Sequence, residues 1–294
     1  MILIAIVSLG AIGAIGSLIL YVASKKFEVY EDPRIAEVQE ALPAANCGGC
    51  GFPGCAGFAD ACVKADTLDG LYCPVGGADV MSKVADILGK VANVEDPMLA
   101  VVRCNGTCDV RPKTNHYDSV QNCAIATSLY SGDTNCSYGC LGYGDCVVAC
   151  PFDAIHVPED TGVAIVDEEK CTACGKCVAA CPKKLIELRK RGPKGRRIYV
   201  SCMNKDKGAV NKKACAAACI GCSLCFKECK FDAITIENNL AYIDPNKCRL
   251  CRKCAPVCPT QAIIEVNFPP KKEKSVEAAP AATPEEKQEP TKSE

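Results

Sequence analysis

The stretch that decides the fold is Cys171-Thr-Ala-Cys174-Gly-Lys-Cys177-Val-Ala-Ala-Cys181-Pro182. Its spacing, C-x2-C-x2-C-x3-C-P, is the one with which cysteine thiolates hold a cubane 4Fe-4S cluster. The first three thiolates bind three irons of one cubane, and the fourth cysteine, just before the proline, ligates a second cluster. The stretch therefore predicts a module with two clusters and a second cysteine run elsewhere in the chain.

The second run is present, and the whole arrangement occurs twice. Five cysteines lie 79 residues before their counterparts: Cys123, Cys136, Cys140, Cys146 and Cys150 match Cys202, Cys215, Cys219, Cys225 and Cys229. Four more lie 77 residues before theirs: Cys171, Cys174, Cys177 and Cys181 match Cys248, Cys251, Cys254 and Cys258. We predict two tandem two-cluster ferredoxin-like modules, each with a short helix and a β-hairpin between its cysteine runs.

In such modules the first three cysteines of one run share a cluster with the last cysteine of the other run. The second module then has two ligand sets, Cys219, Cys222, Cys225 with Cys258, and Cys248, Cys251, Cys254 with Cys229. The first module has Cys171, Cys174, Cys177 with Cys150, and Cys140, Cys146 with Cys181. Tyr143 occupies the position matched by Cys222, so one ligand is missing. We predict that Cys136, the nearest spare thiol, replaces it; the alternative is a 3Fe-4S or otherwise altered site.

A separate cysteine group precedes the modules. Its spacing, C-x2-C-x4-C-x17-C, supplies four thiolates for one self-contained cluster, with Cys62 surplus: Cys47, Cys50, Cys55 and Cys73. Five 4Fe-4S clusters are therefore expected. A sixth that uses Cys104, Cys108 and Cys123 is an alternative to buried free thiols. Cys202 and Cys215 are left unassigned.

The amino-acid composition indicates which kind of metal centre the cysteines hold. The chain has 26 cysteines in 294 residues but only two histidines and no tryptophan. Zinc sites pair two cysteine knuckles across a gap and lack the Cys-x3-Cys-Pro step, so we favour iron-sulfur clusters over zinc. The shortage of aromatic residues argues against a nucleic-acid partner. No nucleophile, general base or substrate pocket is apparent, so we predict no catalytic residue and no cofactor site beyond the metal ligands.

The chain outside the modules has three further parts. Residues 1–24 are almost wholly apolar and precede Lys25 and Lys26, which predicts a single transmembrane anchor with everything after it in the cytoplasm. A cleaved signal peptide is the alternative, but the stretch has no basic leading region. The predicted architecture is α+β. An anchor (1–24) and a linker (25–45) precede a single 4Fe-4S domain (46–97). Two ferredoxin-like modules (98–199 and 200–268) and a disordered tail (269–294) follow.

A basic segment lies between the modules. Residues 183–197 carry eight basic side chains and one acidic one. Two interpretations stay open, a solvated turn and a docking surface for an acidic redox partner or for anionic lipid.

The anchor, the motif Cys47-Gly-Gly-Cys50-Gly-Phe-Pro-Gly-Cys55 and the modules with Cys136-Ser-Tyr-Gly-Cys140 and Val200-Ser-Cys202-Met-Asn together resemble the RnfB family, the iron-sulfur components of Rnf complexes. An Rnf complex is a membrane ferredoxin:NAD+ oxidoreductase that exports Na+ or H+. The resemblance covers about residues 1–266. It implies an electron-transfer subunit at the cytoplasmic face of the bacterial inner membrane, with soluble ferredoxin as electron donor and other membrane subunits as partners. Nicotinamide chemistry would lie on another subunit.

Two other functions fit the same cysteines. One is a polyferredoxin subunit of a different membrane oxidoreductase, which would share every motif except residues 46–97. The other is a non-catalytic iron-sulfur sensor or scaffold, whose clusters would assemble but would not be reduced by ferredoxin.

Overall fold

The computed structural model describes residues 2–26, 32–92, 96–129 and 132–270. Helix α1 comprises Ile2–Lys26; the side chains of the first nine residues of the predicted anchor lie outside the described residues. Among the helices in the described part of the chain, none combines the length and apolar character of a membrane span. Most of the predicted tail, residues 271–294, also lies outside the described residues.

Three helices form the N-terminal unit: α2 (Pro33–Ala41), α3 (Cys55–Lys64) and α4 (Gly77–Leu88). Helix α2 begins after Asp32, whose carboxylate accepts a hydrogen bond from the Arg34 amide, and Pro33 occupies its first turn. Helix α4 ends at Gly89, which has the left-handed conformation. The core includes Val38 and Leu42 with Phe58. Part of the predicted linker, residues 33–42, therefore belongs to this folded unit, so the unit begins before residue 46.

The first module begins with strand β1 (Met98–Val102) and contains helix α5 (Cys123–Leu129) and helix α6 (Asp145–Val148). Strands β2 (Ile155–His156) and β3 (Ile165–Val166) form the predicted hairpin. Helix α7 (Lys176–Ala180) and strand β4 (Ile186–Lys190) follow, and β4 pairs antiparallel with β1. This pairing attaches the N-terminal extension of the module to its end.

The second module repeats the same plan. Strand β5 (Arg197–Val200) pairs antiparallel with the last strand, β8 (Ile263–Val266), as β1 pairs with β4. Helices α8 (Gly208–Ala214) and α9 (Leu224–Glu228) precede the hairpin of β6 (Ile234–Glu237) and β7 (Leu240–Ile243). Because β5 is part of this sheet, the second module begins at residue 197, slightly before the predicted boundary.

Buried arginines join the two modules. The guanidinium carbon of Arg103 lies 5.0 Å from the ring centre of Tyr242, and that of Arg189 lies 5.1 Å from the same ring. Arg189 is 2% exposed and Arg197 is 6% exposed. The basic segment at residues 183–197 therefore supplies buried contacts between modules as well as exposed charges such as Lys190 and Lys194.

A carboxylate of the first module contacts both paired strands of the second-module sheet. Glu168 forms an ion pair with Arg197 at the start of β5, and it accepts a hydrogen bond of 2.9 Å from the Asn267 amide after β8. The Arg197 hydrogen bond lowers the pKa of the Glu168 carboxyl below its ordinary value. Glu168 is therefore charged when the modules are docked.

We expect Glu168→Gln to destabilise the cluster-loaded chain by about 1–3 kcal/mol, because it leaves the buried Arg197 without a countercharge. The control is Asp153→Asn, which removes the exposed ion pair with Lys170 and should cost less than about 0.5 kcal/mol. Anaerobic thermal unfolding at neutral pH measures both; equal effects would contradict the prediction. The stabilisation from Glu168 is fully present above the unfolded pKa of about 4.3 and is lost as the pH falls through the lower folded-state pKa.

Candidate metal centres

Cys150, Cys171, Cys174 and Cys177 lie around one cavity, as the crossed pattern predicts. The space there, which is open to solvent at its edge, measures about 340 Å³ and is also lined by Ile155 and Val166. Burial, together with the neighbouring thiols of Cys171, Cys174 and Cys150, raises the pKa of the Cys177 thiol to about 11. The Ala154 amide donates a hydrogen bond of 3.4 Å to the sulfur of Cys150.

The second module contains two corresponding groups. A cavity of about 350 Å³ is lined by Cys219, Cys222, Cys225 and Cys258. In the other group, burial, together with the neighbouring Cys248, Cys225 and Cys251, raises the pKa of the Cys254 thiol to about 12. The neighbouring Cys229 is one of the groups that raise the pKa of the Cys248 thiol. The structure therefore brings together both ligand sets that the sequence predicts for this module.

The remaining site of the first module differs from the prediction. Burial, together with the neighbouring thiols of Cys140, Cys123 and Cys181, raises the pKa of the Cys146 thiol to about 12. Cys123, at the start of α5, is positioned by its amide, which donates a hydrogen bond of 2.8 Å to the Asp145 carboxylate. The Tyr143 backbone contributes a hydrogen bond to the Cys123 thiol. The structure therefore places Cys123 beside Cys140, Cys146 and Cys181, where the sequence predicts Cys136.

Cys136 lies in a different group. It lines a cavity between the two modules together with Cys104, Cys202 and Cys215. The sequence order groups Cys104 with Cys108 and Cys123, and the structure separates these three: Cys108 is exposed beside Gly162. One sequence signal does point to the observed group, since Cys136 and Cys215 each precede the first cysteine of a run by four residues.

The N-terminal unit gathers the thiols of the C-x2-C-x4-C-x17-C motif. Burial raises the pKa of the Cys73 thiol, as do Cys50 and Cys55. The amides of Gly49 and Gly76 donate to the sulfurs of Cys47 at 3.5 Å and Cys73 at 3.4 Å. Such donors stabilise the anionic sulfurs of a cluster.

This unit touches the first module at Gly49. A Cβ atom on Gly49 would lie 2.9 Å from both the Cα and the carbonyl oxygen of Cys174. Only a residue without a side chain allows that approach. The Cys47 group and the Cys174 group therefore lie next to each other.

These groups fit iron-sulfur clusters. All 26 cysteines are free thiols, and each cavity combines thiols with apolar walls and amides directed at sulfur. Within the described residues, no group of three or more potential ligands is arranged to hold a single metal ion. A single tetrahedral ion needs sulfurs about 4 Å apart, whereas the four corner irons of a cubane hold them farther apart. When bound, each 4Fe-4S cluster accepts or releases one electron.

Comparison with known proteins identifies iron-sulfur domains in the same parts of the chain. A family model described as a 4Fe-4S dicluster domain matches residues 135–185, 170–233 and 218–262. A second model, described as a putative Fe-S cluster, matches residues 42–68. The middle dicluster match joins the end of the first module to the start of the second.

Curated relatives cover most of the chain. The RnfB protein of the Na(+)-translocating ferredoxin:NAD(+) oxidoreductase complex of Acetobacterium woodii is 47% identical over 89% of this chain and 77% of its own length. Its counterpart in the ion-translocating oxidoreductase complex of Methanosarcina acetivorans is 41% identical over 83% of this chain and 90% of its own length. The counterpart in the proton-translocating complex of Clostridium ljungdahlii is 40% identical, over 84% and 86%. With the cysteine groups above, these matches show that the chain belongs to the RnfB family of ion-translocating oxidoreductase complexes and is an iron-sulfur electron-transfer subunit.

Proposed function

We propose that this chain transfers single electrons from reduced ferredoxin to the other subunits of an Rnf-type complex that reduces NAD+. The observation that carries the proposal is the clustering of thiols into groups of four with amide donors at the sulfurs. In each transfer one electron enters and one leaves, and no covalent bond to substrate is made. The names of the relatives, which include ferredoxin and NAD+, support this donor and acceptor.

We assign five sites to twenty cysteines. The ligand sets are Cys47, Cys50, Cys55 and Cys73; Cys123, Cys140, Cys146 and Cys181; Cys150, Cys171, Cys174 and Cys177; Cys219, Cys222, Cys225 and Cys258; and Cys229, Cys248, Cys251 and Cys254. The fourth and fifth sets lie in the second module, where we propose that electrons from ferredoxin enter. The contact of Gly49 with Cys174 supports the Cys47 site as the exit toward the membrane.

Membrane attachment at the cytoplasmic face of the inner membrane is part of this proposal. Residues 1–24 are the proposed anchor, and its support is the apolar sequence followed by Lys25 and Lys26. The relatives are subunits of ion-translocating complexes, which supports the same location.

Anaerobic purification of the full chain tests the function. We expect at least about twenty irons with equal sulfide per chain, and reduction of these clusters by reduced ferredoxin, measured by EPR spectroscopy. Stoichiometric zinc in place of iron would contradict the proposal. Clusters that assemble but are not reduced by ferredoxin would favour a sensor or scaffold instead.

The assignment of Cys123 has its own test. We expect Cys123→Ala to lose about four irons per chain, because one cubane loses a ligand. Adding Tyr143→Cys should restore them, since Tyr143 stands where the second module has Cys222 and its backbone contacts the Cys123 thiol. Iron and sulfide analysis of the single and double variants measures this, and full iron content in Cys123→Ala would contradict it.

A further inference from the structure

The two modules differ at two positions of one ligand loop. Tyr143 and Asp145 stand where the second module, 79 residues later, has Cys222 and Leu224. In both modules the residue between these two positions has a positive φ, of 82° and 61°, and a short helix begins directly after it. The backbone of the loop is therefore alike in the two modules, and the difference lies in the side chains.

The Asp145 carboxylate holds the start of α5. Its two oxygens accept hydrogen bonds from the Cys123 amide at 2.8 Å and from the Ala124 amide at 3.1 Å. The first amides of a helix have no acceptor within the helix, so a carboxylate that accepts them fixes its first turn. Leu224, at the equivalent position, carries no acceptor and is 44% exposed. Asp145 thus caps a helix that begins 22 residues earlier in the chain.

The Tyr143 side chain holds the segment that leads to α5. Its ring stacks on the ring of Tyr117, with the ring centres 5.7 Å apart and the planes at 30°. The Tyr117 hydroxyl donates a hydrogen bond of 3.2 Å to the Val120 carbonyl, and the same carbonyl accepts the Asn122 amide at 2.9 Å. Asn122 directly precedes Cys123. Both residues that distinguish this loop from its counterpart therefore hold the part of the chain that carries Cys123.

Asp145 also brings a negative charge to this site. It precedes Cys146 in the chain and is bonded to the Cys123 amide, so its carboxylate lies beside two of the four proposed ligands. Within the described residues, no ion pair includes Asp145. Reduction adds an electron to a cluster, and a neighbouring anion disfavours that step. Leu224 has no such effect in the second module.

We propose that Tyr143 and Asp145 position Cys123 as a ligand supplied by α5, and that the Asp145 charge lowers the midpoint potential of the cluster held there. The inference rests on the proposed function, since it concerns one of the five assigned sites. The pair replaces Cys222 and Leu224 of the second module. A ligand within the loop is thereby exchanged for one from another element, and the site becomes harder to reduce than it would be with the second-module residues.

Variants that introduce the second-module residues test the positioning. We expect Asp145→Leu to lose about one to four irons per chain, because Cys123 is no longer held and the site loses a corner iron or the whole cubane. Tyr143→Cys/Asp145→Leu should regain the full iron content, since the loop then supplies its own ligand. Asp153→Asn is the matched control: its carboxylate is 85% exposed and pairs with Lys170, so the iron content should not change. Full iron content in Asp145→Leu, or iron lost from the double variant as well, would overturn the positioning role.

A variant that changes only the charge tests the potential. Asp145→Asn keeps a side-chain oxygen for the Cys123 amide and removes the negative charge. In an anaerobic redox titration monitored by EPR, we expect full iron content and a higher midpoint potential for one cluster. Asp153→Asn should leave every midpoint potential unchanged, because an exposed charge is screened by solvent. A titration of Asp145→Asn identical to that of the wild type would overturn the role of the charge.

These results are separable from the proposed function. If either role of Asp145 were overturned, reduction of the wild-type clusters by ferredoxin would still support electron transfer by this chain. Wild-type clusters that ferredoxin did not reduce would contradict the proposed function alone, since iron content and midpoint potentials are measured without ferredoxin.

Discussion

In Cys47→Ala/Cys50→Ala, ferredoxin-driven NAD+ reduction by membranes should fall to the level of membranes without this subunit. The double substitution removes two of four ligands from the N-terminal unit, so about four irons are lost from the chain. The modules should still be reduced by ferredoxin, because none of their ligands changes. Electrons would then enter the chain and not leave it, which a NAD+ reduction assay and an EPR spectrum of the same membranes would show together.

The control for this variant is Cys62→Ala. Cys62 is fully buried in α3 and is surplus to the C-x2-C-x4-C-x17-C motif, so its loss should leave both iron content and NAD+ reduction intact. Undiminished NAD+ reduction in Cys47→Ala/Cys50→Ala would show that the N-terminal unit is not the exit of the electron path.

The substitution Gly49→Ala should separate the N-terminal unit from the first module while every ligand stays in place. Its Cβ would be 2.9 Å from backbone atoms of Cys174, closer than atoms in contact can remain. Overpacking of this kind costs about 1–3 kcal/mol, and a loss of about 2 kcal/mol corresponds to roughly thirtyfold in the population that keeps the contact. We expect full iron content, normal reduction of the modules by ferredoxin, and NAD+ reduction slowed by up to the same factor.

Gly51→Ala distinguishes this effect from damage to the loop. Gly51 has a positive φ, of 87°, but an added Cβ would have no atom within 4 Å. The substitution should strain the loop by about 1–2 kcal/mol and leave the contact with Cys174 unchanged. If both alanine variants slowed NAD+ reduction equally, the contact of Gly49 with Cys174 would not be the reason.

Local spacing explains how much of the molecule could be predicted. The groups around Cys177 and Cys225 follow from cysteines two and three residues apart, because a short loop can wrap only one cubane. The hairpin of β2 and β3 lies between the two cysteine runs, as the plan of the module predicts. Resemblance to the Rnf family is confirmed by relatives over most of the chain.

Long-range packing explains the differences. Cys123 lies beside Cys140, Cys146 and Cys181 because the start of α5 is held at the Asp145 carboxylate, and no local spacing encodes that contact. Cys104 and Cys202 are 98 residues apart and meet only because the two modules dock. The charged and mixed sequence of residues 25–45 predicts a linker, yet Val38 is fully buried against its neighbours.

The shared cavity between the modules bears on how the chain matures during translation. A ribosome releases Cys104 and Cys136 before Cys202 and Cys215, so these four thiols can come together only after the second module has emerged. A chain that stopped after the first module would leave its side of the cavity uncovered. The cavity is therefore a feature of the two-module chain and of neither module alone.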